Sequence, residues 1–253
     1  VVTGCLGVER EELLRRYPNL KFVSGPGNTV QVVNAVKSLK GESVDKLYNP
    51  ALVGRDSGNR VLLTPEHYAY LKIAEGCNHK CTFCIIPTMR GPLASKTLGE
   101  LVEEAQALVE NGVKELLLIA QDLSAYGLDR QYADKSGSAS SCREDIFTLC
   151  KELAGIAPWL RLHYVYPYPH VDKLIEMMAE GQILPYLDMP LQHASPSILK
   201  AMKRPASSEK TLERIQKWRS EVPNLSIRSN FIVGFPGAVS YTHLRAHETS
   251  LHL

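Results

Sequence analysis

Three cysteines lie close together in the segment Cys77-Asn-His-Lys-Cys81-Thr-Phe-Cys84. The C-x3-C-x2-C spacing brings three thiols into one loop. Three thiolates can hold three irons of a 4Fe-4S cluster, whereas clusters that only carry electrons usually have four cysteine ligands. The fourth iron then keeps an open position, as a catalytic zinc site does, and can chelate a small molecule. This spacing therefore predicts an iron-sulfur site that takes part in chemistry.

Two other interpretations of these thiols stay open at this point. A structural zinc site could use the three cysteines with His79 or a distant ligand, although zinc ligands usually come as two C-x2-C pairs. The thiols could also be buried structural residues that bind no metal.

The composition favours an ordinary globular protein. The chain has 253 residues, of which 44% are hydrophobic and 22% charged. These values exclude disordered, collagen-like and membrane classes, and no apolar run reaches the length of a membrane span. Lys and Arg number 29 against 27 Asp and Glu, a balance that does not predict a surface that coats nucleic acid. With no signal segment and with clustered thiols, we expect a cytoplasmic protein whose cysteines bind metal rather than form disulfides.

The elements that must position the loop alternate between strand and helix from about Tyr68 onward. Thr97 and Glu100 form a predicted capping box at the start of one of these helices. Such alternation predicts parallel βαβ units. The predicted strands cover 68–74, 115–120, 160–165, 186–191 and 226–234, and the predicted helices follow them at about 97–111, 144–154, 171–178, from 197, and around 212–218. We therefore predict an α/β fold with a partial (β/α) TIM-like barrel, in which a sixth unit is missing and one rim carries the site.

The first part of the chain predicts a small α/β unit. Its elements are a strand end at Val1-Val2, a helix over 9–16, a strand over 21–23 and a helix over 29–39, followed by a polar linker over 40–59. The last residues, 238–253, follow neither a helical nor a strand period. We expect three parts: the end of an N-terminal domain over 1–62, an incomplete core over 63–237, and a tail over 238–253.

Polar residues and glycines follow the predicted strands, where a rim site would gather them. Gln121, Asp122 and Ser124 follow the second strand, Gln192 and His193 the fourth, and Gly234 and Gly237 the fifth. We predict contact with a cofactor or substrate, with helix capping, loop hydrogen bonding or a plain turn as the alternatives. Cys150 on an apolar helix stripe and Cys142 in a polar loop are predicted to bind no metal.

The cysteine segment resembles the radical S-adenosylmethionine (radical SAM) superfamily and, within it, the methylthiotransferases. The resemblance extends over Ile73–Ser95 and continues through Gln121–Gly127, Tyr164–Pro167, Tyr186–Ser195 and Ile227–Gly237. The tail over 238–253 is His-rich and unlike the family, so we expect that it is not native coding sequence. Leu191-Gln-His-Ala-Ser195 is similar to the branch that modifies small-subunit ribosomal protein twelve, whereas the branch that modifies tRNA adenosine tends to have Gln-Ser-Gly-Ser there.

The resemblance implies two 4Fe-4S clusters and S-adenosylmethionine as cofactors. Cys77, Cys81 and Cys84 would hold the cluster that binds S-adenosylmethionine and releases a 5'-deoxyadenosyl radical. Cys5 matches the last of three ligands of a second, sulfur-donating cluster. The region of Gly234 to Gly237 would lie near S-adenosylmethionine. The implied activity adds a methylthio group to the beta-carbon of an aspartate in that ribosomal protein.

The resemblance also implies partners. These are the ribosomal protein substrate and an electron donor of the flavodoxin or ferredoxin type. Nucleic acid would be contacted only through a domain outside this chain, and no membrane is expected. The alternatives are a tRNA adenosine methylthiotransferase and a non-catalytic iron-sulfur or zinc module.

Overall fold

The structure is a computed structural model that describes residues 1–27, 29–41, 62–133, 144–204 and 210–238. Its strands in chain order are β1 (Tyr68–Lys72), β2 (Ala74–Glu75), β3 (Ala94–Ser95), β4 (Glu115–Ile119), β5 (Trp159–Leu162), β6 (Tyr186–Asp188) and β7 (Ser226–Arg228). The helices are α1 (Arg10–Arg16), α2 (Thr29–Leu39), α3 (Ile86–Arg90), α4 (Leu98–Glu110), α5 (Leu128–Ala133), α6 (Ile146–Ala154), α7 (Asp172–Ala179), α8 (Pro196–Ala201) and α9 (Thr211–Glu221). Short 3-10 turns cover Cys5–Glu9, Leu123–Ala125 and Pro169–Val171.

Five strands form one parallel sheet in the order β1-β4-β5-β6-β7. The spatial order follows the chain order, as it does in a barrel built from successive βα units. The predicted α/β fold with a partial barrel is therefore confirmed. All five strands run in the same direction, so their carboxyl ends lie along one edge of the sheet.

Apolar side chains on one face of the sheet form much of the core. Ala69 and Leu71 of β1 and Leu116 and Leu118 of β4 are fully buried, as expected for a parallel sheet that helices cover. One face of α4, with Leu101, Ala105 and Leu108, belongs to the same core. Burial of one such leucine stabilises the fold by roughly 1.5 to 3 kcal/mol, so the alternating pattern fixes the sheet register.

The predicted start of α4 is correct. Thr97 accepts a hydrogen bond from the backbone N–H of Glu100, whose carboxylate accepts one from the backbone N–H of Thr97. This capping box satisfies two backbone donors that a helix start leaves without partners.

Three predicted strands extend three or more residues past the observed strand ends. The strand expected over 160–165 ends at Leu162, because Tyr164 has a φ of 61° that an extended chain cannot contain. The strand expected over 186–191 ends at Asp188, since Pro190 has no backbone donor and Gln192 has a φ of 71°. The strand expected over 226–234 ends at Arg228, and beyond it only an isolated bridge joins Gln192 to Phe231.

Other predictions of detail differ as well. In the helix predicted around 212–218, Leu212 is 45% exposed, whereas Ile215 and Trp218 are buried and form the apolar face of α9. The two predicted N-terminal strands are reduced to one parallel bridge between Val2 and Val23.

Several predictions lie outside the described residues. They are most of the linker over 40–59, Cys142 and the tail from residue 239 onward. The predicted domain division at residues 62 and 63 stays a prediction. Among the helices that the structure describes, none is both long enough and apolar enough to cross a bilayer.

Candidate functional site

A cavity of about 720 Å³ opens at the carboxyl ends of the parallel strands. Residues at or just past the ends of β1, β4, β5 and β7 line it together with the cysteine loop and α3. The lining residues are Tyr70, Lys72, Cys77, Cys84, Ile86, Arg90, Ile119, Ala120, Gln121, His163, Tyr164, Tyr166 and Arg228. Its size and mixed lining suit a small organic ligand.

The antiparallel strands β2 and β3 pair at the base of the cysteine loop. Directly before Cys77, Gly76 has a φ of 75°, and a Cβ at this position would lie 2.1 Å from the backbone oxygen of Pro92. Only glycine meets both demands without strain. The backbone N–H of Cys77 then donates to the oxygen of Gly91 at 3.1 Å, and Asn78 Oδ1 accepts from the backbone N–H of Leu93 at 3.0 Å.

The three loop cysteines have different surroundings. Cys77 and Cys84 line the cavity, whereas Cys81 is buried beside Tyr166, whose hydroxyl lies 3.5 Å from its Sγ. Burial raises the pKa of the Cys77 thiol, and nearby Asp122, Cys81 and Cys84 raise it further against a lowering contact from the backbone N–H of His79. These thiols repel one another as thiolates, so a cationic iron core is the kind of partner that would keep all three deprotonated.

The donor set fits a 4Fe-4S cluster better than a single metal ion. In such a cluster each cysteine binds a different iron, so the sulfurs need not converge on one point. In the described part of the chain, no three side chains of His, Cys, Asp or Glu are grouped to hold one ion. His79, the zinc ligand considered above, instead has its Nε2 2.8 Å from Asp122 Oδ2 and its ring stacked on Tyr166.

Asp122 and Ser124 support the loop rather than line the cavity. Asp122 is 1% exposed, contacts His79 and accepts the backbone N–H of Ser124 at 2.9 Å. The hydroxyl of Ser124 accepts the backbone N–H of Tyr166 at 2.9 Å. Loop hydrogen bonding, the alternative stated for these residues, describes both contacts.

Gln121 lies on the cavity wall beside a group of charged residues. Its Nε2 donates to Glu75 Oε1 at 3.1 Å, while its buried Oε1 has no hydrogen-bond partner among the described residues. Burial acts to raise the pKa of Glu75, but hydrogen bonds from Lys72 and Arg90 outweigh it and hold that pKa below its ordinary value. The carboxylate of Glu75 therefore remains charged and fixes both cations at the cavity edge.

Cys5 reaches the same edge from the N-terminal part of the chain. Arg90 Nη2 donates to Cys5 Sγ at 3.5 Å, and Arg90 Nη1 donates to Glu75 at 2.7 Å. One arginine thus connects Cys5 to the residue two positions before Cys77.

The remaining predicted residues lie away from the cavity lining. Gln192 pairs through its backbone with Asn230 and Ile232, and the Nδ1 of buried His193 accepts the backbone N–H of Ser195 at 2.9 Å. Gly234 and Gly237 have φ values of 72° and 87° and are exposed. Neither glycine has a described protein atom close enough to forbid a Cβ.

A further polar group lies on β6 and β7, at the opposite end of the strand order from β1. Asp188, 1% exposed at the end of β6, accepts from Arg228 Nη1 at 3.3 Å and contacts His163 Nδ1 at 3.2 Å through the same Oδ2. Asp188 and Arg228 are directly opposite each other in the register of β6 and β7. The side chain of Arg228 is 52% exposed, so donors of its guanidinium face the cavity.

Sequence reasoning missed several of these residues. His163 and Arg228 lie at or just past strand ends, so the rule that predicted Gln121 also applies to them. Arg204, which is buried against Tyr166, gives no pattern signal because it lies in a short irregular segment after α8.

A sequence profile described as the radical SAM superfamily matches residues 71–239. The chain is 55% identical over 237 residues to the ribosomal protein uS12 methylthiotransferase RimO of Methylorubrum extorquens. The aligned region covers 94% of this chain and 52% of that protein. The RimO protein of Pseudomonas fluorescens Pf-5 is 54% identical over 237 residues, covering 94% of this chain and 53% of its own length. The chain thus spans about half the length of these curated relatives.

Two solved structures share the fold at low sequence identity. The radical S-adenosylmethionine methyltransferase TsrM from Kitasatospora setae superposes with a TM-score of 0.66 at 13% identity, covering all of this chain and 53% of that one. The cobalamin-dependent S-adenosylmethionine radical enzyme OxsB gives a TM-score of 0.57 at 13% identity, covering 92% of this chain and 36% of its own.

Proposed function

Because the chain belongs to the radical SAM superfamily, we propose that it forms the core of an enzyme that adds a methylthio group to the beta-carbon of an aspartate in ribosomal protein uS12. The observation that carries this proposal is the cysteine loop opening onto the cavity at the strand ends. The identity of 55% to a uS12 methylthiotransferase supports the choice of substrate over tRNA. Such a substrate implies a cytoplasmic location.

Cys77, Cys81 and Cys84 would hold a 4Fe-4S cluster, and S-adenosylmethionine would lie in the cavity beside them. When bound, the cluster supplies the electron that starts radical chemistry on S-adenosylmethionine. Cys5 would be one ligand of a second cluster that provides the sulfur.

The chain's own residues contribute order and charge. Glu75 fixes Lys72 and Arg90 at the cavity edge, and Asp122 holds His79 against the loop. Tyr166 stacks on His79 and covers Cys81, so it keeps water from that side of the loop. Among the predicted cofactor residues, Gln121 is the one best situated to contact S-adenosylmethionine, while Asp122 and Ser124 would act through the loop. Gln192, Gly234 and Gly237 stay as proposals without a described contact to the cavity.

Arg228 is the residue that suits an aspartate substrate. An arginine guanidinium binds a carboxylate through paired N–H donors, and Asp188 orients this one toward the cavity. Arg228 lies on the last strand, four steps from β1. It lines the same cavity as Cys77 and Cys84, so a carboxylate bound by Arg228 would lie in the cavity that the cysteine loop opens onto.

The test follows hydrogen from the substrate. The chain is reconstituted anaerobically with iron and sulfide, then supplied with S-adenosylmethionine, dithionite and a uS12 peptide deuterated at the aspartate beta-carbon. We expect deuterium in the 5'-deoxyadenosine product, measured by mass spectrometry. A peptide with alanine in place of the aspartate is the control. Deuterium-free 5'-deoxyadenosine from a fully active preparation would exclude this substrate carbon.

A further inference from the structure

Arg204 is a buried arginine beside a cysteine of the loop. Arg204 comes three residues after the end of α8 and is 5% exposed. Nη1 lies 3.9 Å from Cys81 Sγ, and Nη2 donates to the backbone oxygen of Pro190 at 2.7 Å. The guanidinium carbon stands 4.0 Å from the centre of the Tyr166 ring.

The charge of Arg204 has no acidic counterpart in the described structure. The buried carboxylates of Glu75, Glu104 and Asp188 form their ion pairs with lysines and arginines other than Arg204. An arginine stays protonated even when buried, so its charge must be met by a nearby group. Tyr166 offers a ring face and Pro190 a carbonyl, and neither is an anion.

The group that becomes anionic within reach of Arg204 is Cys81. A cysteine binds iron as a thiolate, and a cluster held by three thiolates carries negative charge that increases on reduction. We propose that Arg204 is the counter-ion of this cluster and raises its reduction potential by a charge-assisted hydrogen bond to the sulfur of Cys81. The proposal rests on the proposed function, because it needs Cys81 to be a cluster ligand.

Burial makes this effect large. The residue is 5% exposed and packs against Tyr166 and the backbone at Pro190, so solvent and salt screen its charge only weakly. The electron enters the cluster against the existing negative charge, and a fixed cation favours the reduced state. Arg204 would thus make the cluster easier to reduce by a cellular donor. Arg204 would therefore act through its contact with Cys81 on the reduction potential of the cluster, without touching substrate.

The test measures the potential of the cluster. Reconstituted wild-type chain and the variants Arg204→Gln and Arg204→Lys are titrated with dithionite, and the reduced cluster is followed by electron paramagnetic resonance. Arg204→Gln keeps a donor for Pro190 and removes the charge. We expect it to lower the equilibrium constant for reduction at least tenfold, which is about 59 mV for one electron. Arg204→Lys keeps one positive charge but loses the planar guanidinium that packs on Tyr166, so it should lower this constant less than Arg204→Gln does.

A surface cation on the same segment is the matched control. Lys200 at the end of α8 is exposed, so Lys200→Gln removes one charge that water screens and should leave the potential unchanged. Circular dichroism melting and iron content establish that each variant is folded and loaded. Equal potentials for loaded wild type and Arg204→Gln would overturn the proposal and leave Arg204 as an anchor of the backbone at Pro190. Failure of the wild-type chain to take up any cluster would instead overturn the proposed function.

Discussion

Replacing Gly76 with alanine is expected to disturb the cysteine loop far more than the loss of one glycine normally does. The φ of 75° disfavours an alanine by about 1 to 2 kcal/mol. The added Cβ would also lie 2.1 Å from the oxygen of Pro92 and 2.7 Å from that of Gly91, both backbone atoms that cannot rotate away. Relief requires the hairpin to shift, which strains the hydrogen bond from Cys77 to Gly91.

The magnitude of this second effect can be isolated with a matched glycine. Gly181 follows α7 with a φ of 74°, and a Cβ added there would have no described atom within 4 Å. Gly181→Ala therefore carries the backbone cost alone. Overpacking costs about 1 to 3 kcal/mol and a weakened hydrogen bond about 1 kcal/mol, so Gly76→Ala should be less stable than Gly181→Ala by about 3 kcal/mol.

Two measurements check this prediction. A difference of about 3 kcal/mol corresponds to about 6 to 12 °C in melting temperature for a chain of this size. Iron content after anaerobic reconstitution should fall in Gly76→Ala and stay at the wild-type level in Gly181→Ala. Equal melting temperatures, together with full iron content in both variants, would refute the role given to Gly76.

Three further predictions concern a substrate contact, a buried thiol and a helix cap. Arg228→Gln removes a charge-assisted hydrogen bond, so it should weaken binding of a uS12 peptide with aspartate about 10- to 100-fold. Binding of the same peptide with asparagine should stay unchanged, as measured by calorimetry. Equal loss of affinity for both peptides would contradict this prediction. Burial raises the pKa of Cys150 to about 12, so almost no thiolate forms there at pH 8. Iodoacetamide should therefore modify the exposed Cys84 of the metal-free chain well before Cys150, as measured by mass spectrometry of the peptides. Modification of Cys150 before Cys84 would contradict this prediction. Thr97→Ala should lower the free energy of unfolding by about 1 kcal/mol in urea, because it removes the capping box; an unchanged midpoint would contradict the importance of that cap.

The sequence predicted the elements of the core well because local signals and long-range packing agree there. The capping box at Thr97 and the buried stripe around Leu149 are visible in the sequence and recur in the structure. Strand ends were predicted less well. The positive φ of Tyr164 and of Gln192 ends two strands, and residues of these types give no warning of that backbone conformation.

The site was predictable in part for the same reason. The spacing of Cys77, Cys81 and Cys84 is local, so the sequence contains it in full. The contacts of Asp122 with His79 and of Asp188 with Arg228 join residues 43 and 40 positions apart, and only the fold brings them together. The position of Asp122 after a strand indicated a polar contact but not whether its partner is a ligand or the loop.

Reductive cleavage of S-adenosylmethionine tests the central claim most directly. Wild-type chain, Cys81→Ala and the control Cys150→Ala, which removes a thiol outside the loop, are reconstituted anaerobically and supplied with S-adenosylmethionine and dithionite. We predict 5'-deoxyadenosine from wild type and from Cys150→Ala, and none from Cys81→Ala at unchanged secondary structure. Wild-type chain with a fully loaded cluster that forms no 5'-deoxyadenosine, or cleavage that persists in Cys81→Ala, would contradict the account.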